Sequence, residues 1–195
     1  MSNRKPRIGC IGAGVLGSAI MRRLIDCGFQ PLLWNRDRTK LAPLLKLGAA
    51  EAQSPAELAR ESELVVTCVS DGNVLEKVVF GEQGAAEGGS ADKVLVDMST
   101  CAVAQTREMA IRLAQQCGMA WLDAPISGGA PAALEGKMAI MVSLTVWFPF
   151  CRALMFITVR LRKGNINLCE CNRIAAFLTA CYAGSSLLKT SISFV

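Results

Sequence analysis

Arg7-Ile8-Gly9-Cys10-Ile11-Gly12-Ala13-Gly14-Val15-Leu16-Gly17-Ser18-Ala19-Ile20-Met21-Arg22-Arg23 is the stretch on which the reading of the chain turns. Ile8, Cys10 and Ile11 form a short apolar run of strand type. Residues 12–17 then match Gly-x-Gly-x-x-Gly, and an apolar-periodic helix follows. A glycine hexapeptide at a strand-to-helix junction is a dinucleotide fingerprint. Its first glycine allows the tight turn, its second lets the backbone close on a pyrophosphate, and its third seats the helix near the strand. The helix start adds unpaired N–H groups and the positive end of its dipole. The hexapeptide alone would also suit a turn without a ligand. The strand before it, the helix after it and a second strand beyond favour a cofactor lined by Gly12, Ala13, Gly14, Val15, Leu16 and Gly17.

Working outward, Gly28 stops the first helix and Pro31-Leu32-Leu33-Trp34 reads as the second strand. An NAD-selecting site places Asp or Glu at the end of that strand, on the ribose 2′-hydroxyl. Here Asn35 takes the place, followed by Arg36, with Arg38 and Lys40 close by. A 2′-phosphate would meet an amide and cations instead of a repelling carboxylate, which favours NADP over NAD. Asp37 stays open as an acidic partner if the strand ends later.

Further along, Thr39 to Leu47 reads as a helix closed by Gly48. Ser54-Pro55 opens another, with Ser as N-cap, Pro first and Glu57 third. Leu64 to Val69 is a continuous apolar run, the pattern of a parallel strand buried on both faces. A helix with Val74, Leu75 and Val78 follows, then a loop over Gly81–Gly89 and a strand over Val94–Asp97. A helix is expected over Val103–Cys117, a strand over Ala120–Asp123 and a last one over Lys137–Val142. This alternation predicts an α/β fold of Rossmann type, a mainly parallel sheet with helices on both faces. Ligands of such sheets lie outside the carboxyl ends of the strands. That adds Val69, Ser70 and Thr100 to the expected cofactor residues. Ser99-Thr100 could equally be a helix N-cap and Ser70-Asp71 a turn.

Composition sets outer limits. The chain has 195 residues, 52% of them apolar, which suits a folded domain with a real core. Residues 1–142 carry 15 Lys/Arg against 15 Asp/Glu, so no basic surface for nucleic acid is indicated there. Nine Cys are scattered without a Cys-x-x-Cys pair and there is no His, which gives a metal site little support. Unpaired Cys fit a reducing compartment. Met-Ser-Asn-Arg-Lys-Pro-Arg lacks the apolar core of a secretory signal, so a cytoplasmic location is expected, with an organelle left open. No run makes a convincing membrane span.

Four passages carry a resemblance to a known family: Ile8–Gly17, Trp34-Asn35-Arg36, Asp97-Met98-Ser99-Thr100 and Asp123-Ala124-Pro125-Ile126-Ser127-Gly128-Gly129. Together they resemble the β-hydroxyacid dehydrogenases, with a 6-phosphogluconate dehydrogenase-type NADP-binding domain, over residues 7 to about 142. The family includes 3-hydroxyisobutyrate dehydrogenase, tartronate semialdehyde reductase and glyoxylate/succinic semialdehyde reductase. Trp34-Asn35-Arg36 with Ser54-Pro55-Ala56-Glu57 is most similar to the last of these. The resemblance implies hydride transfer between NADPH and a short hydroxy- or oxo-acid, in full-length members that form homo-oligomers. It implies that Thr100 touches the nicotinamide side and that Ser127, Gly128 and Gly129 bind the substrate carboxylate. A Ser hydroxyl and exposed N–H groups on a glycine turn can cradle an anion. A plain glycine turn joining two strands is the alternative.

The resemblance stops near Val142. The family continues into an all-helical domain opened by Gly-x-Gly-x-x-x-Lys, whose Lys is the catalytic acid–base. No such motif occurs here; Arg173 falls about where that Lys belongs, and Lys163-Gly164-Asn165-Ile166 is a faint echo. Residues 143–195 hold five of the seven Phe, four of the nine Cys and one of the sixteen acids. This break divides the chain into an NADP-binding domain, 1–142, and an atypical tail, 143–195. The tail is expected to be poorly ordered and out of frame or intron-derived, Val142-Ser143 being encodable as a splice-donor consensus; a divergent but real second domain is the alternative. Two functions follow: an NADP-dependent oxidoreductase of this family lacking its catalytic Lys, or an NADP(H)-binding or interaction module without turnover.

Overall fold

The computed structural model describes residues 5–143 and 156–158. Its frame is six parallel strands in the order β3-β2-β1-β4-β5-β6. They are β1 (Ile8–Ile11), β2 (Leu32–Trp34), β3 (Ala50–Glu51), β4 (Leu64–Thr67), β5 (Val94–Asp97) and β6 (Ala120–Asp123). The chain starts in the middle, runs outward to β3, then crosses back beyond β1 to β4. This reversal makes the β1/β4 boundary a topological switch point.

The apolar runs are continuous because both faces of the sheet are covered. Ile8, Cys10, Leu64, Val66, Val96 and Leu122 enter one core, with Ile20, Met21 and Leu24 of α1 (Val15–Asp26) and Leu44 of α2 (Ala42–Leu45). Ile11, Val65, Leu95 and Trp121 enter the other, with Leu58 of α3 (Pro55–Glu61), Leu75 and Val79 of α4 (Gly72–Phe80) and Leu113 of α5 (Val103–Cys117). Successive strand residues therefore alternate between two dry interiors, and each fully buried aliphatic side chain contributes about 1.5–3 kcal/mol.

Local signals hold where they are chemical. Ser54 Oγ accepts from the N–H of Glu57 at 3.1 Å, Pro55 opens α3, and the Glu57 carboxylate accepts from the N–H of Gln53. The expected helix over Thr39–Leu47 is instead a 3-10 turn, Arg38–Leu41, followed by the short α2. Pro43, with no N–H to donate, stands at the junction. Ala50–Glu51, to which the sequence assigns no element, makes a two-residue parallel strand on β2.

Past β6 the chain leaves the parallel pattern. β7 (Ile126–Ser127) leads into α6 (Gly129–Leu134), which packs on α1, and β8 (Ala139–Ser143) returns antiparallel. The last expected strand is thus present, two residues later than its predicted start and of opposite direction. The Ser127–Gly129 turn leads into a helix, so it does not simply join two strands. The register pairs Asp123 with Ser143, Ile126 with Ile140 and Ser127 with Ala139, and the N–H of Met141 donates to Pro125. Each step forward on one side is matched by a step back on the other. β7 is therefore the prolongation of β6 past Pro125, on the same edge of β8. β9 (Phe156–Thr158) takes the opposite edge. The rest of the tail set apart at residue 143, with Lys163, Arg173 and Lys189, lies outside the described residues.

Candidate functional site

The carboxyl ends of the parallel strands come level. Ile11 pairs with Trp34 and Thr67, Thr67 with Asp97, and Asp97 with Asp123. The loops that follow these residues share one edge. Because β7 prolongs β6, Ser127 lies four residues beyond Asp123 in the same direction. Ser127, Gly128 and Gly129, all exposed, therefore overhang the edge that carries the glycine loop. Sequence order says nothing of this overhang.

Each glycine of the hexapeptide has a distinct physical role. Gly12 has φ +102°, and a Cβ there would stand 2.2 Å from the Cys68 carbonyl. A Cβ on Gly17 would meet the Gly12 carbonyl at 2.0 Å, so α1 could not approach β1. Gly14 differs: its backbone is extended and nothing lies within 4 Å of its would-be Cβ. It is the N-cap of α1 and makes no side-chain cap. The start of α1 thus opens on free space, which a pyrophosphate there would need. Val15 beside it is 85% exposed.

The β2 loop is organised by short bonds. Asn35 Oδ1 accepts from the N–H of Ala13 at 2.8 Å, and Asn35 Nδ2 donates to the Asp37 carbonyl at 2.7 Å. Asn35 is thus a brace that holds the glycine loop against the β2 loop. Asp37 Oδ1 accepts from the N–H and the hydroxyl of Thr39, capping the 3-10 turn. These bonds, aided by Lys40 and Arg36, hold its carboxyl below the usual range. Arg38 turns away, donating to Gln53 and pairing with Glu51 at 3.4 Å. Arg36 and Lys40 stay exposed. Of the three expected cations, two face solvent and Arg38 is tied to the end of β3.

At β4 and β5 the alternative reading of Ser99-Thr100 as a helix cap does not hold. The N-cap of α5 is Ala102, without a side-chain bond. Ser99 is buried instead, and its Oγ accepts from the N–H of Val69 at 3.0 Å. Thr100 is exposed. Ser70 donates to Asp71, which caps α4 through the N–H groups of Asn73 and Val74. Beneath them Asp97, fully buried, accepts from Thr67 Oγ1 at 2.8 Å and from the Ser99 N–H at 3.0 Å. Asp97 was not among the expected site residues. Its signal was an acid closing the apolar run Val94-Leu95-Val96.

Burial pushes the Asp97 carboxyl up, and burial with the neighbouring Asp97 does the same to Asp123. The sign of the consequence follows. Between the ordinary aspartate value of 3.8 and its raised value, the folded chain binds more protons than the unfolded one, so stability falls as pH rises through that window. Exposed Asp37 and Asp71, held low, act in the opposite sense and only below 3.8. Asp97→Asn keeps the acceptor and removes the buried charge. Urea midpoints of the variant are expected to gain on the wild type as pH rises from about 4 to 7. Parallel curves would show that Asp97 does not carry this dependence.

Comparison with known proteins gives a consistent picture. The family described as the NAD binding domain of 6-phosphogluconate dehydrogenase matches residues 7–145. A probable 3-hydroxyisobutyrate dehydrogenase-like protein, mitochondrial, of Arabidopsis thaliana is 35% identical over 136 residues, covering 70% of this chain and 45% of the relative. Glyoxylate/succinic semialdehyde reductase 2, chloroplastic, from the same plant is 32% identical over 136 residues, covering 70% and 38%. Among solved structures, Psf3 in complex with NADP+ and 2-OPP superposes with a TM-score of 0.67 at 29% identity, covering 70% of this chain and 48% of that one. The chain spans less than half the length of each. No helix among the described residues is long and apolar enough to cross a membrane.

Proposed function

The chain belongs to the family of the NAD binding domain of 6-phosphogluconate dehydrogenase, in its β-hydroxyacid dehydrogenase branch, and from that premise we propose that it holds NADP(H) in preference to NAD(H) at the carboxyl edge of its sheet. The observation that carries this is the commitment of Asp37. The acid that could have received a ribose 2′-hydroxyl accepts from Thr39 instead, while Arg36 and Lys40 stand exposed beside it. With Asp37 Oδ1 taken by Thr39, the exposed cations Arg36 and Lys40 suit a phosphate. In this reading Gly12–Gly17 hold the pyrophosphate at the start of α1. Asn35 keeps that loop in place, and Val69, Ser70 and Thr100 face the nicotinamide half.

The substrate is a short hydroxy- or oxo-acid of the kind named for the relatives. When bound, the nicotinamide supplies or accepts the hydride. Ser127, Gly128 and Gly129 would receive the substrate carboxylate. Gly128 and Gly129 have φ +119° and +67°, a turn of the kind that can present backbone N–H groups to an anion, and Ser127, also exposed, precedes them. Their position past the edge, on the ribbon of β6–β7 and β8, supports this role.

Titration calorimetry with NADPH and NADH tests the cofactor assignment. NADPH is expected to bind at least about tenfold more tightly, since a charge-assisted bond to phosphate contributes about 1.5–3 kcal/mol. Arg36→Ala should shrink the gap. Equal affinities in the wild type would remove the NADP assignment. A second reading, a cofactor-binding module without turnover, is favoured by the absence of Gly-x-Gly-x-x-x-Lys and of any His from the 195 residues.

A further inference from the structure

We propose that Asp97 is a positioning residue for the nicotinamide half of the cofactor site, acting through Ser99 on the backbone at Val69. The inference rests on the cofactor reading above and extends it to a residue that touches no ligand. A dinucleotide seated on the glycine loop with its ribose phosphate toward β2 must extend the other way, toward β4 and β5, because the strand order reverses between β1 and β4. Two loops meet it there, one after β4 with Val69 and Ser70, the other after β5 with Ser99 and Thr100.

Asp97 and Ser99 form the tie between these loops. Asp97 Oδ1 holds the Ser99 N–H at 3.0 Å and the Thr67 hydroxyl at 2.8 Å, and Ser99 Oγ holds the Val69 N–H at 3.0 Å. Each bond fixes either the last residue of β4 or a loop residue directly behind an exposed group. Thr67 and Asp97 are fully buried and Ser99 is 4% exposed, so the tie lies beneath the surface a ligand would meet.

Sheet stability does not explain a carboxylate in this place. Asp97 Oδ2 is buried without a hydrogen-bond partner among the described residues. An apolar side chain would suit the surrounding core better, since a buried polar atom left unpaired is costly. Both of the Asp97 side-chain bonds given above run to Thr67 and Ser99, at the ends of the two strands that carry the loops. An arrangement that is locally unfavourable and serves loop geometry is the pattern of a functional site.

The experiment compares two ligands on the full chain. NADPH reports the whole site; adenosine 2′,5′-bisphosphate reports the adenosine half alone. Asp97→Ala and Ser99→Ala are each expected to weaken NADPH about tenfold and to leave adenosine 2′,5′-bisphosphate within about twofold. Asp97→Asn, which retains the acceptor oxygen, should restore NADPH binding to within about threefold of the wild type. Ser99→Ala serves if Asp97→Ala fails to fold. Unchanged NADPH affinity in the alanine variants would overturn the proposal. So would an equal loss for both ligands, the mark of a merely structural residue. A wild type that binds adenosine 2′,5′-bisphosphate and NADPH keeps the cofactor reading whatever the variants do. A wild type that binds neither removes that reading and this inference with it.

Discussion

Mixed with NADPH and glyoxylate, succinic semialdehyde, tartronate semialdehyde or methylmalonate semialdehyde, the 195-residue chain is expected to bind the cofactor and leave its absorbance unchanged. Reduction of a carbonyl needs a proton at the oxygen as the hydride arrives. The exposed groups at the site, Ser127 and Thr100, are hydroxyls with no base or acid behind them among the described bonds. Cys68 and Cys101 are pushed up to about 11 by burial and nearby carboxylates, so both stay protonated thiols at neutral pH, and neither is bonded to Ser127 or Thr100 among the described bonds. Asp97 is fully buried beneath the loops. The sequence contains no His and no Gly-x-Gly-x-x-x-Lys. A missing general acid costs about a hundred- to ten-thousand-fold. Turnover on the order of ten per second with any of these substrates would refute the expectation. It would direct attention to half-buried Asp123, whose carboxyl is held above its usual range at the base of the β6–β7 ribbon, or to Lys163, Arg173 and Lys189. Asp123→Asn separates these sources, because it abolishes turnover only in the first case.

Two alanine substitutions two residues apart should behave in opposite ways. Gly12→Ala places a methyl 2.2 Å from the Cys68 carbonyl on a backbone at φ +102°. Strain and overlap together should destabilise the domain by about 2–5 kcal/mol. Gly14→Ala sits on extended backbone with nothing within 4 Å, so the melting temperature should fall by no more than a few degrees, the cost of Ala at an N-cap. Its methyl projects into the open space at the start of α1. NADPH affinity should therefore fall about tenfold or more, the loss of one charge-assisted backbone bond. Thermal melts with and without NADPH read both effects. A Gly14→Ala protein that binds NADPH like the wild type would mean that the pyrophosphate lies elsewhere. A Gly12→Ala protein of normal stability would mean that the contact with Cys68 relaxes freely.

Much of the fold was legible because its signals are local. The apolar runs at Ile8–Ile11, Leu64–Thr67, Val94–Asp97 and Ala120–Asp123 are each short enough for a strand and apolar on both faces. Ser54, Pro55 and Glu57 announce a helix start by side chains that bond within three or four residues. The glycine hexapeptide announces itself by spacing. Elements without such chemistry stayed hidden. Ala50–Glu51 is too short for a period, and Gly129–Leu134 hides a helix behind two glycines and a proline.

By itself, then, the sequence determined an α/β sheet wound from a glycine loop, the strand edge at which that loop lies and the family to which it belongs. Tertiary structure alone decided how that edge is held. Asn35 braces Ala13 across 22 residues, Ser99 holds Val69 across 30, and Asp97 holds Thr67 across 30. It also decided that Asp37 caps a turn and leaves Arg36 and Lys40 exposed beside it, and that β7 carries Ser127 past the edge as a prolongation of β6. The physical reason is range. Periodicity and capping depend on neighbours a few residues away, whereas a hydrogen bond between two loops exists only once strand register has brought their ends level.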